Sequence, residues 1–129
     1  MGKKETGNLG EMATSLYLKD LGWRILGANV RVPGGEIDII AREAKTGVLV
    51  FVEVKTKSGD SRPGFKPEDL YRWKKVKTTR RSCQWYAGKF PKLLFRLGWR
   101  IDLVTVQVHQ SPLTDYKKDC TISHYKNAV

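Results

Sequence analysis

Val48-Leu49-Val50-Phe51-Val52-Glu53-Val54-Lys55 is the stretch that decides the fold. It is an unbroken, β-branched apolar run closing on two ionisable residues, which predicts a strand buried on both faces near the centre of a sheet. Side chains alternate along a strand. One face therefore carries Val48, Val50, Val52 and Val54, and the other Leu49, Phe51, Glu53 and Lys55. The second face begins apolar and turns ionisable at the strand's end.

Working outward, Glu43-Ala44-Lys45-Thr46-Gly47 reads as a turn, and Glu36 to Arg42 as a preceding strand on which Glu36 and Asp38 share a face. Trp23 to Val32 is also extended, and Pro33-Gly34-Gly35 between these two segments is turn chemistry, so they form a hairpin. Leu9 to Leu21 reads as a helix with two adjoining lines, one through Leu9, Ala13 and Leu16, the other through Glu11, Thr14, Leu18 and Leu21; Gly22 ends it. Downstream, Gly59, Pro63, Gly64 and Pro67 mark Lys57 to Pro67 as a loop. A second helix runs from Leu70 to about Ala87, burying Trp73, Val76, Cys83 and Ala87. Arg100 to Val108 is a last strand, and the tail from Gln110 is irregular with a short strand near Ile122. The order αβββαβ predicts one domain over residues 1–129, its core about 9–108, in the α/β or α+β class and built on a single sheet.

The ionisable end of the central strand is where chemistry is expected. A buried charge costs free energy unless it is paired or binds a metal. If the two strands are neighbours, Asp38 approaches Glu53, and a divalent cation relieves the repulsion between the carboxylates. Mg²⁺ suits such a site because it takes a few carboxylates plus water and phosphate oxygens. Lys55 then stands where an ammonium orients a water or offsets developing charge. Glu11 faces inward from the first helix. The alternative from these residues alone is a structural Asp–Lys–Glu salt-bridge cluster.

The chain has 24 basic and 13 acidic residues, a formal charge of +11, so a polyanion is a natural partner. Ten bases and eight acids lie in residues 1–65, against fourteen and five in residues 66–129. Lys74, Lys77 and Arg81 fall on one face of the second helix and Trp85 follows, a cationic stripe ending in an indole that suits a phosphate backbone. Lys75 lies at the edge of the buried stripe, pointing toward the carboxylates or snorkelling. Asn29 and Arg31 position the hairpin or contact phosphate. Asp102, flanked by apolar residues, is expected first to pair with a basic side chain and order the sheet, and otherwise to assist the site from behind. Two cysteines and two histidines lack zinc spacing, and the cysteines fit reduced cytoplasmic thiols. No leader or membrane span is expected from the apolar runs.

The run Gly10-Glu11, Gly22-Trp23, Asn29-Val30-Arg31, Gly35-Glu36-Ile37-Asp38 and Phe51-Val52-Glu53-Val54-Lys55-Thr56-Lys57, with Arg100-Ile101-Asp102 and Ile122-Ser123-His124 later, resembles the bacterial YraN-like family of uncharacterised proteins. That family resembles archaeal Holliday-junction resolvases of the PD-(D/E)xK nuclease superfamily, although here Ile37 stands where the motif proline would precede Asp38. The resemblance implies a restriction-endonuclease-like αβββαβ core, with a mixed central sheet flanked by helices, and Mg²⁺- or Mn²⁺-dependent phosphodiester hydrolysis. It makes Asp38 and Glu53 metal ligands, Lys55 the catalytic lysine and Glu11 an auxiliary ligand. The expected function is a cytoplasmic endonuclease acting on DNA, including branched or junction DNA, as a homodimer where the junction is symmetric. The alternatives are a non-catalytic nucleic-acid-binding module on the same fold and an adaptor for an acidic protein partner.

Overall fold

A computed structural model describes residues 2–58, 73–93 and 98–128, apart from the side chains of residues 3 and 73–77. The elements run α1 (Lys3–Asp20), β1 (Arg24–Val32), β2 (Gly35–Arg42), β3 (Leu49–Ser58), α2 (Trp73–Lys89), β4 (Trp99–Val108), α3 (Tyr116–Asp119) and β5 (Cys120–Tyr125). The apolar run occupies the middle of a five-stranded sheet in the order β1-β2-β3-β4-β5. β3 pairs antiparallel with β2 and parallel with β4, from Leu49↔Trp99 to Ser58↔Val108, while β1 and β5 pair antiparallel at the edges. This is an α/β protein with a mixed sheet flanked by helices.

The alternation along β3 builds two cores. Val50, Val52 and Val54 pack with Ala13 and Leu18 of α1 and with Val104, Val106 and Val108 of β4. Leu49 and Phe51 pack on the other side with Ile101 and with Cys83 and Ala87 of α2. Each such fully buried aliphatic or aromatic side chain contributes about 1.5–3 kcal/mol.

The first helix begins at Lys3, six residues before the expected Leu9. Its opening turns, Lys3-Lys4-Glu5-Thr6-Gly7-Asn8, carry no apolar line to reveal them. Leu16, expected inside, is 41% exposed; the buried face runs through Gly10, Ala13, Thr14 and Leu18. The end is as expected. Gly22 adopts φ 84°, its N–H bonds Lys19 and the Trp23 N–H bonds Leu18, a Schellman closure. A second correction falls on β3. Lys57 and Ser58, read as the start of a loop, remain strand because β4 supplies partners as far as Val108. The rest of that expected loop, residues 59–67, lies outside the described residues. In the tail, β5 surrounds Ile122, and α3 precedes it where only irregular chain was expected. Among the described residues no helix is long and apolar enough to cross a membrane.

Gly10 sets how closely α1 lies on β3. A Cβ there would fall 1.8 Å from the Thr56 hydroxyl oxygen and 2.7 Å from the Thr56 Cβ, too close for any rotamer of a short branched side chain to relieve. Gly10→Ala is therefore expected to lift α1 from the sheet and to cost about 1–3 kcal/mol, despite alanine's better helix propensity. Urea unfolding measures it; an unchanged or raised midpoint would mean that the contact is looser than described.

Candidate active site

The site is created where two strands part. The β2–β3 ladder runs from Arg42↔Leu49 to Ile39↔Val52. β2 stays paired with β1 as far as Gly35↔Val32, whereas β3 continues to Ser58 beside β4. The position after Ile39↔Val52 would set Asp38 opposite Glu53. There Asp38 Oδ2 accepts the Val54 N–H at 2.8 Å, so a carboxylate takes the place of a backbone partner at the split.

α1 brings Glu11 to the same place. Burial pushes the Glu11 carboxyl up from its ordinary value, the Asp38 charge adds to this, the Asn29 side chain opposes it by hydrogen bonding, and Glu36 raises it further. Asn29 sits on β1 with φ 52°, a left-handed conformation that asparagine tolerates better than most residues. Ionising Glu11 therefore costs more folded than unfolded. That penalty is present above the raised folded value and disappears below the ordinary one. Glu11→Gln is expected to raise the thermal midpoint at neutral pH in chelator, with the gain vanishing as the pH falls below about 4. A lower midpoint at neutral pH would contradict the crowding of carboxylates.

Glu53 is only 5% exposed, and its Oε1 lies 3.4 Å from Lys55 Nζ. α2 closes over it. A void of about 10 Å³, near the least that admits one water, lies among Glu36, Glu53, Thr79, Ser82 and Cys83. Burial and the Glu53 charge push the Cys83 thiol up to about 12, so at neutral pH it is an inert packing group. Between the first turns of α1 and the end of β3 a groove of about 490 Å³ opens, lined by Thr6, Gly7, Glu11 and the Val54–Ser58 segment.

Thus Glu11, Asp38, Glu53 and Lys55 all come to the divergent end of β2 and β3. They do not close into one ready-made ligand set: among the described residues no group of three or more His, Cys, Asp or Glu side chains is arranged to hold a metal ion. Arg31 is exposed on β1, paired in register with Glu36. Arg81 and Trp85 are exposed on α2, as their stripe requires. The side chains of Lys74, Lys75 and Lys77 lie outside those described. Sequence reasoning gave Asn29 to the hairpin or to phosphate, whereas its side chain bonds Glu11, and it passed over Thr79 and Ser82 as neighbours of the carboxylates. Only Glu36, two residues before Asp38, carried a signal, the period of the strand.

Asp102 lies on the α1 face of the sheet, one strand over on β4, in register with Val52. It is fully buried and accepts from Arg100 Nε at 2.9 Å, His124 Nε2 at 2.8 Å and the Asn127 N–H at 2.8 Å. His124 Nδ1 meets the Tyr17 hydroxyl at 2.9 Å. Arg100 also bonds Glu43, which Lys126 and Thr46 share. The Trp23 indole packs against His124 and lies under the Arg100 and Lys126 cations. With both imidazole nitrogens engaged, His124 is a structural joint between α1, β4 and β5.

A mixed-sheet α/β core, with an acidic split between an antiparallel and a parallel neighbour, defines the class. The model of the uncharacterised protein family UPF0102 matches residues 10–106, and the chain belongs to that family. Similar relatives include UPF0102 proteins of Syntrophotalea carbinolica, 39% identical over 78% of this chain and 77% of its own length, and of Mycolicibacterium smegmatis, 39% identical over 84% and 85%. Another, from Alkaliphilus oremlandii, is 38% identical over 97% of both chains.

Proposed function

We propose that the protein is a metal-dependent endonuclease that hydrolyses phosphodiester bonds in DNA, with branched or junction DNA as the substrate class. The observation that carries this reading is the convergence of Glu11, Asp38 and the Glu53–Lys55 pair on one strand split beside an open groove. The resemblance to PD-(D/E)xK nucleases and archaeal junction resolvases supports it, as does the charge of +11.

The donors are all carboxylate oxygens, suited to Mg²⁺ or Mn²⁺. The Glu11 carboxyl is raised first by burial and then by the neighbouring Asp38 charge, and a cation among these carboxylates would offset the charge repulsion. Glu11, Asp38 and Glu53 would hold the ion. Such an ion supplies a more acidic water and neutralises charge on a phosphate oxygen. Lys55, held beside Glu53, orients the attacking water and offsets charge building on the phosphate. Asp38 keeps the Val54 N–H paired and so fixes the split. Arg81 and Trp85 on α2 offer a cation and a stacking surface to the flanking backbone. A cytoplasmic homodimer would make the paired cuts that a symmetric junction needs.

A second reading, a binding module without turnover, is favoured by the absence of a closed ligand set among the described residues. One experiment separates the two: purified protein is incubated with linear, flapped and four-way DNA in Mg²⁺, Mn²⁺ or chelator. Cleavage that needs the ion and is lost in Asp38 and Glu53 variants supports the nuclease. Salt-sensitive binding without cleavage under any ion supports the module.

A further inference from the structure

Beyond Val52, β3 has β4 on one side and no β2 pairing on the other. The main-chain groups of alternate residues point to the same side of a strand. Since the Val54 N–H points toward the β2 side, where Asp38 takes it, those of Thr56 and Ser58 point the same way. That edge borders the groove of about 490 Å³, which begins at Glu11 and Lys55 and continues past Lys57 to Ser58.

Lys55 and Lys57 are two residues apart on one face of β3, so their Cα atoms are separated by about 6.6 Å along the strand. This matches the step between neighbouring phosphates in an extended nucleic-acid strand. The two lysine positions thus repeat at the period of a sugar-phosphate backbone, with Lys55 Nζ beside Glu53 and Lys57 one step further along the strand. A peptide without acidic residues at alternate positions would gain the main-chain bonds but nothing from the two cations, whereas a nucleic-acid strand presents an anion at every step.

We propose that the β3 edge is a phosphate-tracking groove. Lys57, with the backbone N–H groups of Thr56 and Ser58, seats the phosphodiester next to the one held at Glu11, Asp38, Glu53 and Lys55. This rests on the nuclease reading for its direction and adds the path of the strand as it leaves the site. Lys57 is a binding residue here, indifferent to base identity, because it meets only the backbone.

The test uses the full chain in EDTA, where no cleavage intervenes, and a fluorescein-labelled thymidine octanucleotide followed by anisotropy across a salt series. Lys57→Gln is expected to weaken binding about threefold to tenfold and to lower the slope of log affinity against log salt by about 0.7, one single-strand phosphate. Lys57→Arg keeps both. The loss should be equal for an adenosine octanucleotide. In wild type the amide resonances of Thr56 and Ser58 should shift on titration. Ser58→Asp, which places an anion in the groove while leaving Lys57 intact, should weaken binding as well and covers the case of a poorly folded Lys57 variant.

Wild-type affinity and slope in folded Lys57→Gln would overturn the inference, as would unshifted Thr56 and Ser58 amides. A peptide that displaces the oligonucleotide and shifts the same amides, with Lys57→Gln indifferent, would assign the edge to strand addition instead and overturn it too. The predicted losses in a protein that cleaves nothing in Mn²⁺ would support the groove and end the nuclease reading. Cleavage with a silent Lys57 would do the reverse.

Discussion

Asp38→Asn and Glu53→Gln should each reduce ion-dependent DNA cleavage by about 10³-fold or more, while affinity for DNA in chelator stays within about threefold of wild type. The size follows from the several kcal/mol that a bound divalent ion contributes to a charged transition state. The amide replacements matter. Asp38→Ala would strip the Val54 N–H of its acceptor, and the loss could then be assigned to a disturbed strand. Asparagine keeps an oxygen for that N–H and removes the charge. Glutamine at position 53 likewise preserves volume in a site that is 5% exposed and closed by α2. Single-turnover cleavage of a labelled four-way substrate gives the rates. Equal cleavage by wild type and both variants, from preparations free of contaminating nuclease, would remove these residues from the chemistry.

Asp102→Ala should show the opposite profile, a large loss of stability without loss of chemistry per folded molecule. It leaves Arg100, His124 and the Asn127 N–H without their shared acceptor, and breaking a buried charge network in this way costs about 3–5 kcal/mol. A chain of this size should lose on the order of 15 °C in thermal midpoint. The same network predicts an acid limb. Burial alone would raise the Asp102 carboxyl, but hydrogen bonds from His124, Arg100 and Asn127 outweigh it and hold the carboxyl below its ordinary value. Arg100 does the same for Glu43, against burial and with help from Thr46 and Lys126, down to about 2. A depressed carboxylate gives stability that is present above its unfolded value and lost as the pH falls through the folded one. Wild-type unfolding midpoints should therefore drop between about pH 4.5 and pH 2, and Asp102→Ala should show a smaller drop. A pH-independent difference between the two would place the stabilisation elsewhere.

The sheet's centre and the site's main residues were legible because they rest on short-range rules. The alternation of Val48 to Lys55 decides which residues face α1 and which face α2, and Gly22 can be recognised as a helix end from its neighbours. What could not be read depends on partners far away in the chain. Lys57 and Ser58 look like loop because glycine and proline follow closely; β4 makes them strand. Leu16 satisfies a helical period yet stays outside, since the Gly10 contact with Thr56 rotates α1 onto its Gly10–Thr14–Leu18 face. The joint between Tyr17 and His124 spans most of the chain, and nothing local to either residue announces it. Asp102 was expected to find a basic partner and has one in Arg100, with the imidazole and a backbone N–H besides.

The parallel pairing of β3 with β4 has a bearing on how the molecule comes into being. Each residue of β3 is matched with one fifty positions later, from Leu49 with Trp99 onward. Closing so wide a span is slow compared with zipping up a hairpin. The β1–β2 ribbon and its turn to β3 can therefore assemble early from nearby pieces, whereas the long central seam has to wait for the last third of the chain. During that interval Asp38 and Glu53 are already linked by the β2–β3 turn, but β3 has only one neighbour to brace it. Acquisition of a working geometry should thus trail the first appearance of sheet signal in refolding.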